Sequence, residues 1–278
     1  MNKKIKLVVA DIDMTLRSDP RVFPELNTKA INDLHKNGYL FGMASGRSTK
    51  QILAMKKDFN LDFDMDLAIG VNGSAMYDGL DKIDHKYLLL DHEWVKDIIA
   101  LLRKVNKEFY FYINDETVFS SASNEYYKQH YVAAGRPASV ASKDEDFLYG
   151  DVYKGLVEVK TPEEKKEMED LFAPLLEERK GQIKLLMTTK TCMEFVHYET
   201  SKGYALKKFC DTHNIGLDEV AAFGDAENDN EMIDISGMGV CLKNGSDSTL
   251  KIADYVTDLT AGEGGFGDFV YKHILNKE

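Results

Sequence analysis

Five short stretches of this sequence are almost continuously apolar: residues 5–10, 39–44, 67–71, 220–223 and 239–242. They lack the alternation of a half-buried strand and fit strands covered on both faces, as in a parallel sheet. Parallel strands need crossover connections. Between the first two runs, residues 28–37 carry Ala30, Ile31 and Leu34 at helical spacing, with Gly38 placed as the stop. Residues 48–59 read as the next helix and lead to the third run. The predicted fold is α/β, a doubly wound parallel sheet of Rossmann-like form.

The middle of the chain has a different pattern. Residues 88–90 look like a strand. Asp91 is placed to cap a helix whose apolar face is Trp94, Val95, Ile98, Ile99, Leu102 and Val105. Residues 109–113 and 117–120 flank Asn114-Asp115-Glu116, a hairpin signal. Residues 152–160 are a strand candidate. Thr161-Pro162-Glu163-Glu164 reads as a capping box with proline at the first helical position. Met168, Leu171, Phe172, Leu175 and Leu176 follow, and Pro174 is expected to kink or end that helix early. Residues 183–188 and 193–197 read as further strands. The simplest organisation is a core made of 1–82 and 195–278, with an α+β domain at 84–190 inserted in it.

Charge narrows the function. Lys plus Arg number 35 and Asp plus Glu 47, a net charge of −12, and residues 84–190 hold 16 basic against 20 acidic residues. Nucleic-acid binding needs clustered cations, so it is not expected. The three cysteines form no CxxC pair, which suggests reduced, buried thiols in a cytoplasmic protein. The apolar stretch at 7–10 is interrupted by Asp11 and is too short for a secretory leader. No window approaches 18 apolar residues, so no membrane span is expected.

Open α/β sheets place their ligands at the carboxyl ends of the strands. The first apolar run ends in Asp11-Ile12-Asp13-Met14-Thr15, the second in Ser45-Gly46-Arg47, and the fourth in Gly224-Asp225 followed by Asn228-Asp229. Ser201-Lys202-Gly203 opens a helix just before the fourth. Each piece alone has a plain reading: a solvated acidic triplet, a turn, an exposed lysine, a helix cap. Their joint occurrence, in this order and on these elements, points to a phosphoryl site. Asp11, Asp13 and Asp225 would crowd three negative charges, and a phosphate dianion would add more. A hard divalent cation with oxygen ligands resolves the repulsion, and Mg²⁺ is the usual one beside phosphate. Lys202 would neutralise further charge. The Ser45 hydroxyl and nearby backbone N–H groups, Gly46 included, could hold phosphoryl oxygens.

Taken together, DxDxT, SGR, SKG and GDxxND resemble the haloacid dehalogenase (HAD) superfamily of phosphatases. The phrases VNGSAMYDG (71–79), MEFVHYETSKGYAL (193–206), GDAENDNEM (224–232) and IADYVT (252–257) look like its Cof-type branch. The resemblance covers both core blocks and hardly touches 84–190. It implies that Asp11 is the nucleophile, forming an aspartyl-phosphate. Asp13 would act as acid and then base, its main-chain carbonyl binding Mg²⁺. Asp11 and Asp225 would supply carboxylate ligands to the metal, Ser45, Lys202 and Asn228 would hold phosphate, and Asp229 and Thr15 would support the metal site from behind. Met14 stands where the family most often has glycine. Asn244-Gly245-Ser246 departs from the usual Gly-Asn-Ala phrase and is given no role.

Only one helix fits between Asp13 and Ser45, so the lid must be the insertion at 84–190, corresponding to the family's larger second-position cap. A closed lid implies a small, diffusible phosphorylated metabolite as substrate. The expected protein is a monomer or weak homo-oligomer. A phosphomutase or phosphotransferase of the same superfamily is the alternative, and a non-catalytic metabolite-binding regulator a more distant one. The GxGxxG match at 262–267 has too little chain after it for a dinucleotide fold and reads as a flexible loop before a terminal helix. No P-loop or zinc-protease motif occurs, and the aromatic run 109–112 reads as sheet packing.

Overall fold

The computed structural model of the chain describes residues 5–114, 117–133, 136–189 and 191–276. Two compact units emerge, Met1–Tyr87 with Ser201–Glu278, and Leu88–Thr200. In the first, β1 (Leu7–Asp11), β2 (Leu40–Ala44) and β3 (Leu67–Gly70) are parallel neighbours. Helices α1 (Glu25–Lys36) and α2 (Thr49–Asp58) connect them. α1 ends at Gly38, whose φ of 83° is open to glycine at no steric cost. Ser48 caps α2: its hydroxyl accepts the Gln51 N–H at 3.2 Å, and the Gln51 side chain accepts the Ser48 N–H at 3.2 Å. β4 (Ala75–Asp78) and β5 (Ile83–Lys86) extend the sheet antiparallel.

The second unit runs α3 (His92–Lys104), β6 (Phe109–Ile113), β7 (Thr117–Ser120), a single turn α4 (Glu125–Tyr127), β8 (Ala138–Val140), β9 (Val152–Glu158), α5 (Pro162–Glu178), β10 (Ile183–Thr189) and β11 (Cys192–His197). Its six strands lie in the order β10-β11-β9-β6-β7-β8. Phe109, Phe111 and Ile113 alternate onto the face that buries Val95, Ile98, Phe172 and Phe195. The aromatic run is thus sheet packing, as its composition suggests. The Asp91 carboxylate caps α3, accepting the Glu93 N–H at 2.8 Å.

Three local expectations change. Residues 88–90 form no strand: Leu90 makes one bridge to Val152, and Leu88, at φ 51°, interrupts the extended run. α5 continues through Pro174 to Glu178. Pro174 and Asp170 are both exposed, so the carbonyl that loses its amide partner is left to water. The Thr161 hydroxyl accepts the Glu164 N–H at 3.2 Å, but the Glu164 carboxylate accepts from Lys160 N–H at 2.7 Å and so does not close the box. The turn residues Asp115 and Glu116 lie outside the described residues.

The core resumes with α6 (Lys202–His213), β12 (Val220–Gly224), α7 (Asn230–Asp234), β13 (Met238–Cys241), α8 (Asp247–Ile252), β14 (Tyr255–Val256) and α9 (Gly265–Phe269). α9 starts inside the glycine run rather than after it. A Cβ on Gly267 would meet the Leu26 carbonyl oxygen at 2.5 Å, so glycine there lets α9 pack against α1. The sheet order is β14-β13-β12-β1-β2-β3-β4-β5. Along β1, Val8 and Ala10 join one apolar cluster and Leu7 and Val9 the other, which is why the strand is apolar throughout. From β1 the chain steps to β2 and β3 on one side and later to β12, β13 and β14 on the other. The crevice at this reversal opens at the carboxyl ends of β1 and β12.

Candidate active site

The loop after β12 folds back tightly on its own strand. A Cβ on Gly224 would lie 2.4 Å from Asp229 Cβ, so the return requires glycine. Asp229 is fully buried, and its Oδ2 accepts the N–H groups of Asp225 (3.0 Å) and Ala226 (3.1 Å). Its Oδ1 faces Lys202 Nζ at 2.6 Å. Lys202 begins α6 behind Ser201, whose hydroxyl accepts the Tyr204 N–H at 2.9 Å. The plain reading of an exposed lysine fails, because Lys202 is 0% exposed and donates to Asp11 Oδ1 at 2.5 Å. A buried ammonium therefore joins the end of β1 to the loop after β12. Gly73 permits this approach: at φ 105°, a Cβ there would sit 1.9 Å from the Ser201 carbonyl oxygen.

The Thr15 hydroxyl donates to Asp225 Oδ1 at 2.8 Å, tying the same two strand ends together. Carboxylate oxygens of Asp11, Asp225 and Asp229 lie within 4.8 Å of one another. The trio brought together is thus Asp11, Asp225 and Asp229 rather than Asp11, Asp13 and Asp225. The side chain of Asp13 turns to Arg17 and Arg47, with nitrogen–oxygen distances of 2.6–3.1 Å. These guanidiniums hold its carboxyl below the usual range despite the opposing effect of partial burial.

Burial pushes the Asp11 carboxyl up to about 8, with Asp229 and Asp225 adding to the rise and Lys202 opposing it. Asp225 is raised to about 6 by burial and by Asp229, against the Thr15 hydrogen bond and Lys202. Burial works against the Lys202 ammonium, but Asp11 and Asp229 outweigh it and raise its pKa. Both Asp229 oxygens are occupied, whereas Asp11 and Asp225 each keep one oxygen without a protein partner among the described residues. Buried carboxylates that hold protons this tightly lack positive charge, and their hard oxygen donors fit a divalent cation.

Ser45 follows β2, is 4% exposed, and its hydroxyl accepts the Arg47 N–H at 3.3 Å. A Cβ on Gly46 would lie 3.5 Å from the Asn72 amide. The Asn228 amide donates to Asn72 Oδ1 at 3.2 Å. Ser45, Gly46 and Asn228 are thus gathered around Asn72, to which the sequence reading gave no role. Val71 and Asn72 stand at φ 48° and 54°, an outlying conformation for a β-branched residue. Hydrogen bonds from Val71 N–H to the Arg47 carbonyl (2.7 Å) and from Asn72 N–H to the Ser45 carbonyl (3.0 Å) hold it. The Val-Asn-Gly phrase directly after a buried strand was the available signal.

Met14 adopts φ 71°, the region open to the glycine usual at this place. Asn244 braces that turn, donating to the Met14 carbonyl at 2.8 Å and accepting the Ala261 N–H at 2.8 Å. Ser246 N–H donates to the Asp225 carbonyl at 2.7 Å. The 244–246 phrase thus supports the site despite its departure from the usual pattern.

The sequence model for haloacid dehalogenase-like hydrolases matches residues 8–269. The 5-amino-6-(5-phospho-D-ribitylamino)uracil phosphatase YcsE of Bacillus subtilis is 25% identical, over 94% of this chain and 92% of its own. A haloacid dehalogenase-like hydrolase from Bacteroides thetaiotaomicron superposes with a TM-score of 0.84 at 22% identity, covering 97% of this chain and 99% of that one. A HAD subclass IIB sugar phosphatase superposes with a TM-score of 0.77 at 23% identity, covering 96% and 98%. No described helix is long and apolar enough to cross a membrane.

Proposed function

This chain belongs to the haloacid dehalogenase-like hydrolases, in their Cof-type branch, and is a phosphatase; we propose that it hydrolyses small phosphorylated metabolites, sugar phosphates among them, through an aspartyl-phosphate on Asp11 with Mg²⁺ as cofactor. The observation that carries the reading is the fully buried Lys202 ammonium bridging Asp11 and Asp229, with Asp225 beside them at the strand-order reversal. Lys202 occupies one oxygen of Asp11 and leaves the other for attack. That oxygen bonds to phosphorus while the bond from phosphorus to the leaving oxygen breaks. Asp13 gives its proton to that oxygen, which departs as an alcohol. Asp13 then takes a proton from water as the water oxygen attacks phosphorus, and Asp11 is released as a carboxylate.

Lys202, the Ser45 hydroxyl, the Gly46 N–H and the Asn228 amide hold the phosphoryl oxygens. Asp11, Asp225 and the main-chain carbonyl of Asp13 would hold Mg²⁺, with Thr15 and Asp229 fixing the loop behind them. When bound, the cation supplies positive charge opposite the phosphoryl oxygens and keeps the carboxylates ionised. The kinship with the ribitylaminouracil phosphatase supports a small phosphorylated substrate. The inserted block at 84–190 is the proposed source of discrimination among such substrates.

Replacing Asp11 with Asn keeps the shape and removes the nucleophile. Turnover of p-nitrophenyl phosphate should fall by several orders of magnitude, while circular dichroism stays that of the parent. Activity near the parent's would end the covalent mechanism.

A further inference from the structure

The Asp13 carboxylate is fully occupied. Arg17 donates to its Oδ1 from Nε (3.0 Å) and Nη2 (2.9 Å), and Arg47 donates to its Oδ2 from Nε (3.1 Å) and Nη2 (2.6 Å). A carboxylate oxygen offers two lone pairs, and here both oxygens have theirs taken by charged N–H groups. Asp13 therefore cannot present an oxygen to a leaving group until one guanidinium moves away.

The two arginines are not equivalent. The side chain of Arg17 is 4% exposed, its Nη1 donates to the Pro20 carbonyl at 2.8 Å, and its guanidinium stands 5.1 Å from the Phe23 ring centre. It is anchored on three sides. The side chain of Arg47 is 25% exposed, and among the described residues its guanidinium bonds Asp13 alone. It also stands two residues after Ser45, in the loop that gathers with Asn228 around Asn72.

We propose that Arg47 transfers from Asp13 to the phosphoryl group of an arriving substrate, which frees Asp13 Oδ2, while Arg17 remains on Oδ1 as a positioning residue that aims the freed oxygen at the leaving group. The exchange is chemically reasonable. A phosphoryl dianion matches the planar fork of arginine and carries more charge than a carboxylate already shared with Arg17. The acid–base group thus becomes available only with a phosphate ester in place. This inference rests on the phosphatase reading and on Asp13 as the proton carrier.

Arg17→Met, Arg17→Lys and Arg47→Met are compared with the parent on p-nitrophenyl phosphate, phenyl phosphate and a primary alkyl phosphate at saturating Mg²⁺. A poor leaving group needs its proton most, so a mispositioned acid is exposed on the alkyl ester. For Arg17→Met, the kcat loss on the alkyl ester should exceed that on p-nitrophenyl phosphate by about tenfold or more, with KM within about twofold of the parent's. Arg17→Lys keeps the charge without the fork; it should show the same ordering, and it is read if the Met variant does not fold. Arg47→Met should raise KM about tenfold on all three esters alike. With beryllofluoride bound at Asp11, a crystal structure should show Arg47 on the anion and Arg17 still on Asp13.

Equal losses on all leaving groups in the folded Arg17 variants would reduce Arg17 to a structural role and overturn the proposal. An unchanged KM in Arg47→Met, or Arg47 still paired with Asp13 beside beryllofluoride, would overturn it equally. An active Asp11→Asn control would instead sink the phosphatase mechanism itself, so the two failures are distinguishable.

Discussion

Lys202→Met should destabilise the core unit strongly and in a pH-dependent way. The substitution preserves most of the side-chain volume and removes the ammonium held 2.5 Å from Asp11 and 2.6 Å from Asp229, in a position with no solvent exposure. Breaking a buried ion pair by removing one partner costs about 3–5 kcal/mol. Here two buried carboxylates lose the same cation, which places the loss in the upper part of that range, about 4–5 kcal/mol at pH 8. For a unit of this size each kcal/mol shifts Tm by about 2–4 °C, so Tm should fall by about 8–20 °C.

At pH 5 the penalty should shrink. The Asp11 carboxyl already stands near 8 with Lys202 present, and it rises further when the cation is gone. At pH 5 it holds a proton in parent and variant alike, whereas at pH 8 it is half ionised in the parent and still protonated in the variant. The loss at pH 5 is therefore smaller by the Asp11 ion pair alone, about 0.4 kcal/mol relative to pH 8 and about 1.4 kcal/mol relative to pH 9. Thermal and urea unfolding of parent and variant at pH 5, pH 8 and pH 9, without metal, would measure these losses. Equal losses at pH 5 and pH 9, or a loss under about 1 kcal/mol at pH 8, would refute the reasoning, since the first leaves no role for Asp11 and the second no buried pair.

Three further outcomes are expected. Asp11 near 8 and Asp225 near 6 keep protons that an unfolded chain releases around 3.8, so the metal-free fold binds more protons over roughly pH 4–8 and loses stability as pH rises through that window; Mg²⁺ should then raise Tm more at pH 8 than at pH 5, and the reverse order would remove the argument. Met14→Gly relieves a φ of 71°, worth about 1–2 kcal/mol, against about 0.5–1 kcal/mol of added unfolded-state entropy; stability should rise by up to about 1.5 kcal/mol, and a clear loss in urea unfolding would show the side chain matters more than the backbone. Joining Tyr87 to Ser201 removes the second unit where the chain leaves and re-enters the core, the Tyr87 and Tyr204 ring centres being 5.8 Å apart; a folded product should keep p-nitrophenyl phosphatase activity and lose discrimination among metabolites, and an unchanged substrate ranking would take specificity away from the insertion.

Much of the fold was legible because it depends on local pattern. Runs such as Leu7–Asp11 and Val220–Gly224 are apolar at every buried position, and a strand covered on both faces leaves no other choice of residue. The polar residues that directly follow such runs must emerge at the carboxyl edge, so Asp11, Ser45 and Asp225 could be placed there from order alone. Gly38 and Asp91 were legible for the same reason, since a cap acts within one turn of its own helix.

The rest depended on pairs that no local pattern encodes. Thr15 meets Asp225 across 210 positions, and Lys202 meets Asp11 across 191. Sheet order makes those meetings possible, because β12 inserts beside β1. Turn dihedrals settle which carboxylate completes each cluster: the close return over Gly224 brings Asp229 inward, while Asp13 turns out to Arg17 and Arg47. Composition alone could not separate these aspartates. The sequence by itself determined the buried strands of the parallel core, the residues at their ends and two helix termini, since these follow from nearest-neighbour geometry and burial. The tertiary structure alone decided that Lys202 is buried, that Asp229 rather than Asp13 joins Asp11 and Asp225, and that two arginines hold Asp13, because a charge enters the interior only where partners brought from distant segments compensate its desolvation.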